Sequence, residues 1–185
     1  MMLRRGGKPP AGPDAPAPAA APDAAPATGP DAVIDVQVAD EQDAVAVDAD
    51  GLARLAGAVF AAEGVTGSAE VTLTFVDEDT IATLNAEHLD ETGPTDVLSF
   101  PLDDPDEDLP PGMVALLGDI VICPAVARRY AATNGRSVEH ELALLVVHGA
   151  LHILGHDHAE PDEAAHMAAR ELELLRAHVD PAFVR

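Results

Sequence analysis

The sequence is poor in several residue types, and each shortage excludes a class of protein. Its single cysteine, Cys123, rules out an internal disulfide framework and suits a reducing cytoplasm. Basic residues are also scarce, because ten Lys and Arg stand against 33 Asp and Glu, a net charge of -23. A surface this acidic repels phosphate backbones at long range, which argues against DNA and, on charge alone, against nucleic acid generally.

Long apolar runs are missing as well, so the sequence predicts no membrane span and no membrane partner. The basic residues Arg4, Arg5 and Lys8 are followed by Pro, Ala and Asp, where a signal peptide needs an apolar stretch. We therefore expect a cytoplasmic protein, with Cys123 packed in its core.

Proline is concentrated at the start of the chain. Residues 1–31 hold eight of the 16 prolines among Ala, Gly and Asp, and they contain too few large aliphatic residues for a core. This composition predicts a disordered extension. At 185 residues in total, the remaining stretch, 32–185, has the length of one domain.

Hydrophobic periodicity predicts alternating strands and helices in the first half of that domain. Strands are expected at 33–38 and 71–76 from their alternating β-branched residues. A helix should follow each, capped by Asp48 or Asp50 in the first case and by Asp77 or Asp79 in the second. This order indicates α/β layering with at least one parallel strand pair.

The second half adds two strands and three helices. Residues 94–101 form a short strand that its prolines confine to an edge or to short pairing, and 118–122 form a buried strand. Helices should begin at Pro124, after Ser137 and at Pro161. The predicted fold is α/β, a mixed four-stranded sheet with about five helices, and the apolar helix after Ser137 is central.

Four histidines lie within eleven residues at the end of that central helix. His148 and His152 are one helical turn apart and can aim two imidazoles at one ion. Gly155 can end the helix in a left-handed conformation and return His156 or His158 as a third ligand. Three protein ligands with one open position are typical of a catalytic zinc.

The spacing of His148, His152, Gly155 and His158 matches that of metzincin-type zinc proteases. Those enzymes place a glutamate directly after the first histidine as the base, and here that position is Gly149. A metal that polarises a phosphoryl oxygen or lowers the pKa of water would still allow phosphodiester cleavage. Nearby side chains can assist, because Asp157 can orient a ligand and His156 can shuttle a proton.

Four motifs in order resemble the YbeY family of bacterial endoribonucleases. They are Leu84-Asn85, PTDVLSFP at 94–101, LGDIVIC at 117–123 and HGALHILGHDH at 148–158. The resemblance implies one Zn²⁺ ion bound by His148, His152 and His158, and it gives His156 no ligand role. It also implies single-stranded RNA as the substrate, a role in 16S rRNA 3'-end maturation and ribosome quality control, and the small ribosomal subunit as a partner.

The sequence departs from this family at Leu89, where well-known relatives carry an arginine thought to contact phosphate. The cleft therefore lacks one positive charge. Arg128, Arg129 and Arg136, which precede the metal helix, are the candidate RNA-binding residues in its place, although surface solvation is the commoner role for such arginines.

Two alternatives to a zinc endoribonuclease stay open at this stage. One is a zinc peptidase or amidase, against which Gly149 argues. The other is a non-enzymatic ribosome-assembly factor whose structural zinc takes a fourth ligand from His140, His156 or Asp157. The general base is also undecided, since spacing alone places neither Asp157 nor Asp96.

Overall fold

The computed structural model describes residues 33–103, 110, 112–156 and 160–184, so the predicted extension at 1–31 lies outside the described residues. No described helix has both the length and the apolar character needed to span a bilayer. The described elements are β1 (Val33–Asp40), α1 (Ala49–Ala62), β2 (Ser68–Phe75), α2 (Glu78–Leu89), β3 (Val97–Pro101), β4 (Ala115–Ile122), α3 (Pro124–Asn134), α4 (Val138–Ile153) and α5 (Pro161–His178).

The four strands form one mixed sheet in the order β1-β2-β4-β3. Strand β2 pairs in parallel with both β1 and β4, whereas β3 pairs antiparallel with β4 and lies at the edge. The predicted α/β class with a mixed four-stranded sheet is therefore confirmed. The expected edge position of the proline-bracketed strand is confirmed too.

Helix α4 covers one face of the sheet and lies at the centre of the main core. Its residues Val146, Ala150 and Leu151 are fully buried, and the helix contacts α1, α3, α5, β3 and β4. Helix α2 belongs to a smaller apolar cluster, where Ile81 packs with Leu98 of the edge strand β3 and Val121 of its neighbour β4. Cys123 is buried in this second cluster, as predicted, and desolvation raises the pKa of its thiol.

Side-chain caps fix where the helices begin. Asp48 rather than Asp50 caps α1, with its carboxylate accepting a hydrogen bond from Gly51 N. Asp77 caps α2 through Thr80 N at 2.8 Å, and Ser137 caps α4 as predicted. Each cap satisfies a backbone N–H that has no partner within the helix.

Strand β4 contains a bulge at Gly118, which the sequence-based prediction took as the start of the strand. A Cβ there would lie 2.2 Å from the carbonyl oxygen of Phe100 and 2.8 Å from Cδ1 of Ile153, and the backbone φ is +141°. Only glycine meets both conditions. The strand begins earlier, at Ala115, and the pairing register between β2 and β4 shifts beside Val71.

Helix α5 presents a different face to the core from the expected one. The apolar spacing of Ala164, Ala168, Leu172, Leu175 and Val179 predicts the buried stripe. In the structure Leu175 is buried but Val179 is exposed, and the alanines are only half-buried. The face that packs inward instead consists of Met167, Glu171, Leu174 and Leu175.

Candidate metal centre

The two histidines of α4 converge on one point. The Nε2 atom of His148 lies 3.1 Å from the Nε2 atom of His152, and the two rings are nearly perpendicular with centroids 4.5 Å apart. Spacing by four residues places both rings on the same side of the helix, one turn apart. Two ring nitrogens of the type that bind metals therefore face each other.

A carboxylate from α5 holds the other side of the first ring. Oε1 of Glu171 lies 2.7 Å from Nδ1 of His148, and the glutamate side chain is 1% exposed. In the neutral form of the ring, a carboxylate that accepts from Nδ1 would leave the lone pair on Nε2, the nitrogen that lies toward His152. A carboxylate on the far nitrogen is the usual support of a metal-binding histidine.

This pair fits a zinc ion. Zinc binds histidine nitrogen at about 2.0–2.1 Å in tetrahedral geometry, which puts two ligand nitrogens about 3.3 Å apart. The observed 3.1 Å separation of the two Nε2 atoms is close to that value. The imidazole donors also suit zinc better than the oxygen-seeking ions Mg²⁺ and Ca²⁺.

The third predicted ligand, His158, and its neighbour Asp157 lie outside the described residues. The chain does leave the helix as the glycine predicts, because Gly155 has a φ of +82°. Among the residues that the structure describes, no group of three or more His, Cys, Asp or Glu side chains could hold a metal ion. The three-histidine site and the role of Asp157 therefore stay predictions.

Two other histidines have different neighbours. The Nε2 atom of His156 lies 3.5 Å from Oε2 of Glu63, the residue that follows the last turn of α1. His140 lies two turns before His148 on α4, about 12 Å along the axis, and packs against Phe183. These contacts agree with a site in which neither histidine is a ligand.

Gly149 packs against the sheet. A Cβ at this position would lie 2.8 Å from Cγ2 of Ile120 and 3.1 Å from Oγ of Ser99. Its carbonyl oxygen accepts a hydrogen bond from the Ser99 hydroxyl at 3.3 Å, which ties β3 to α4 beside the histidines. Close helix–sheet packing thus accounts for glycine here, and a glutamate would be driven into the core.

The three candidate RNA-binding arginines all make intramolecular contacts. Arg128 donates from Nη1 to the carbonyl oxygen of Ala44, and Arg129 pairs with Glu78 at 2.6 Å on the surface. Arg136 forms an ion pair with the buried Glu141, with 3.1 Å between Nη1 and Oε2. Their role in RNA binding stays a prediction, and any phosphate would compete with these partners.

The motif residues around the edge strand have mainly structural contacts. The buried Asn85 donates from Nδ2 to the carbonyl oxygen of Gly93, which holds the loop after α2. Leu89, at the end of α2, is exposed. Asp96 bonds the backbone N–H of Val97, so its carboxylate helps to begin β3.

Glu171 is the site residue that sequence reasoning missed. A signal was present, because a glutamate interrupts the stripe formed by Met167, Leu174 and Leu175 at helical spacing. A lone carboxylate on an apolar helix face is buried on folding and therefore needs a hydrogen-bond or ion-pair partner. The spacing of Ala164, Ala168 and Leu172 predicts a stripe about one residue away from this face, and Glu171 then falls on the polar side.

The fold and the histidine pair define an α/β protein with a candidate metal site on its central helix, supported by a carboxylate from the last helix. The family model described as Endoribonuclease YbeY matches residues 37–178. The chain belongs to this family.

Relatives are similar in sequence to this chain over most of their own length. A protein named endoribonuclease YbeY from Thermobifida fusca is 46% identical over 145 residues, 76% of this chain and 91% of the relative. A relative of the same name from Leifsonia xyli is 44% identical over 136 residues, covering 72% and 89%. The solution structure of TM1509 from Thermotoga maritima matches with a TM-score of 0.51 and 24% identity, covering 80% of this chain and 96% of that one. The structural match supports the fold alone.

Proposed function

We propose that this protein is a zinc-dependent endoribonuclease that cleaves single-stranded RNA and acts in 16S rRNA 3'-end maturation and ribosome quality control. The proposed ligands are His148, His152 and His158. The observation that carries the metal site is the 3.1 Å approach of the two Nε2 atoms. Family membership supports RNA as the substrate class.

The chain's own residues supply orientation and charge. His148 and His152 offer Nε2 atoms from one face of a helix whose opposite faces are buried in the core, so their positions are fixed by packing. When bound, a divalent ion would neutralise charge on a phosphoryl oxygen and lower the pKa of water. The buried Glu171 carboxylate would partly balance the charge of the ion.

Peptide hydrolysis is the weaker candidate, because the position of the usual base is closed. Gly149 contacts Ile120 and Ser99, so no side chain from that position can reach a substrate. RNA brings its own nucleophile within the substrate, the 2'-hydroxyl, and the proton that this hydroxyl loses on attack would have to pass to a base elsewhere in the site. Asp157 is our candidate for a nearby carboxylate that assists.

The acidic surface of the protein is the reason to expect a partner that helps it to bind RNA. A chain with a net charge of -23 gains little affinity for RNA from long-range electrostatics. Docking on the small ribosomal subunit in the cytoplasm would supply that affinity and limit cleavage to ribosomal RNA. Fractionation of cell extracts on a sucrose gradient tests this part, and we expect the protein to co-migrate with small subunits.

The test of the nuclease proposal compares the wild type with His152→Ala. Both proteins, purified without chelators or a nickel column and then loaded with zinc, are given a single-stranded RNA, the same RNA as a duplex, and an unfolded protein. We expect the wild type to cleave only the single strand, and the variant to lose about 100-fold or more of that activity. His166→Ala, on the exposed face of α5, is the matched control and should keep full activity.

Elemental analysis of the same preparations separates the two parts of the proposal. One zinc per wild-type chain without RNA cleavage would reject the nuclease and favour a structural zinc in an assembly factor. Cleavage of the unfolded protein would favour the peptidase. Absence of bound zinc at neutral pH would reject the three-histidine site itself.

A further inference from the structure

Glu171 is one of three polar or charged side chains buried within the described part of the chain, together with Asn85 and Glu141. Glu141 has the guanidinium of Arg136 beside it, and Asn85 bonds a loop carbonyl. Burying a carboxylate is costly unless hydrogen bonds or a nearby positive charge compensate for the lost water. Glu171 makes one such contact with His148, where its Oε1 lies 2.7 Å from Nδ1 of the ring.

The contact also selects a nitrogen. A neutral imidazole carries one proton, and a carboxylate at Nδ1 draws that proton to Nδ1. The lone pair of His148 is then at Nε2, on the side where the second ring lies 3.1 Å away. The opposite tautomer would leave Nδ1 facing a carboxylate with no proton between them. Its proton would be on Nε2, and that nitrogen would then have no lone pair for a metal.

We propose that Glu171 is a positioning residue that prepares His148 for metal binding, by fixing both its tautomer and the direction of its ring. The inference rests on the proposed metal site and adds to it a residue from a second helix. Met167, Leu174 and Leu175 pack α5 against the core around Glu171, so the carboxylate cannot move away at low cost. The site is thereby assembled only when α5 docks on α4.

A purely structural role is the competing explanation. In that case the His148–Glu171 contact would tether α5 to α4, and its loss would lower stability without affecting the metal. A positioning role predicts a change in metal affinity that is separate from any change in stability. The two explanations therefore differ in a quantity that can be measured without RNA.

The experiment measures zinc affinity of the full-length protein by competition with a chromophoric chelator. Glu171→Gln keeps the size of the side chain and removes its charge, and we expect zinc affinity to fall by about 10–100-fold. Glu171→Asp keeps the charge on a shorter side chain and should recover part of that loss. The matched control is Glu173→Gln on the same helix, whose exposed carboxylate pairs with Arg170 and should not affect zinc.

Thermal unfolding of the metal-free proteins separates affinity from stability. A folded Glu171→Gln variant with the affinity of the wild type and of Glu173→Gln would overturn the inference, whatever its melting temperature. A weaker affinity in the folded variant, with partial recovery in Glu171→Asp, would support it.

Nitrogen-15 spectra of the wild-type histidines give a test that needs no variant. We expect His148 to carry its proton on Nδ1 in the metal-free protein and to bind zinc through Nε2. A proton on Nε2, or zinc on Nδ1, would overturn the inference even if Glu171→Gln does not fold.

The outcomes also distinguish this inference from the proposed function. Tight zinc binding that depends on Glu171, in a protein that does not cleave RNA, would reject the nuclease and keep the positioning role. RNA cleavage by a protein whose zinc affinity does not depend on Glu171 would keep the nuclease and reject the positioning role.

Discussion

Gly149 follows the first histidine of the site and lies where helix α4 packs against the sheet. Its missing side chain lets α4 approach β3 and β4 closely enough for the Ser99 hydroxyl to reach the carbonyl oxygen of Gly149. Any larger residue must push the helix away from Ile120. The position of the histidines therefore depends on a residue that cannot bind metal itself.

We predict that Gly149→Ala destabilises the protein although alanine favours helices. The added methyl group would lie 2.8 Å from Cγ2 of Ile120, and overpacking a core costs about 1–3 kcal/mol. The gain in helix propensity returns at most about 1 kcal/mol, so we expect a net loss of about 1 kcal/mol. Urea unfolding of the metal-free protein measures this difference.

Gly57→Ala is the control for that prediction. Gly57 lies inside α1, and its nearest neighbour for a new Cβ is Cγ2 of Val36 at an ordinary 3.8 Å. This variant should gain about 0.5–1 kcal/mol from helix propensity. Equal effects of the two substitutions would show that close packing at Gly149 is unimportant.

At the residue scale, the sequence revealed the histidine pair because four-residue spacing encodes a shared helix face directly. It did not reveal Glu171, because that contact joins positions 23 residues apart in the chain. Which side of α5 faces α4 depends on how the two helices pack. The apolar periodicity of α5 predicts a buried side about one residue away from the one that packs inward.

The turn between α3 and α4 is held by an ion pair. Arg136 and Glu141 are 14% and 5% exposed at their side chains, so water screens their attraction only weakly. Burial raises the pKa of Glu141 above its ordinary value of 4.5, and Arg136 opposes that rise. Arg136, one of the candidate RNA-binding residues, is therefore also needed where helix α4 begins.

We predict that Arg136→Met lowers the free energy of unfolding by about 3 kcal/mol at neutral pH, because it leaves a buried carboxylate without its counter-ion. The raised pKa sets the sign of the pH dependence. Near pH 4.5 Glu141 can take up a proton in the folded state, and the deficit should shrink there and grow as the pH rises. Urea unfolding across this pH range measures both values.

The double variant Arg136→Met with Glu141→Leu should recover most of that loss, since neither charge remains buried. Arg129→Met serves as the surface control, because its partner Glu78 is 41% exposed and exposed pairs contribute little. A deficit for Arg136→Met that is the same at all pH values would contradict the ion-pair explanation.

At the element scale, local rules identified the helix starts well. Ser137, Asp77 and Pro124 act on neighbouring backbone groups, so their effects can be seen in the sequence. The start of β4 was missed because the bulge at Gly118 depends on Phe100 of a neighbouring strand and on Ile153 of α4. Such contacts exist only after the chain has folded.

The acidic surface is a property of the whole molecule. With a net charge of -23, the protein repels RNA at long range. The Debye length falls from about 30 Å at 0.01 M salt to about 8 Å at 0.15 M. Added salt should therefore weaken the repulsion more than it weakens short contacts at the site.

We predict that kcat/KM for a short single-stranded RNA rises as the salt concentration increases from about 0.01 M to about 0.15 M. Most RNA-binding proteins show the opposite trend, because they release counter-ions from phosphates. Initial rates with the zinc-loaded protein at constant pH measure the slope. A steep fall with salt would indicate a basic RNA-binding surface strong enough to overcome the net charge.

The order of the elements has a consequence for synthesis of the chain. Helix α4 covers the core face of the sheet, yet it is translated after all four strands, and α5 follows it. Until these last segments leave the ribosome, the main core lacks the residues that α4 and α5 contribute, among them Val146, Leu151 and Leu175. The core therefore closes late, and the same late step also brings Glu171 to His148.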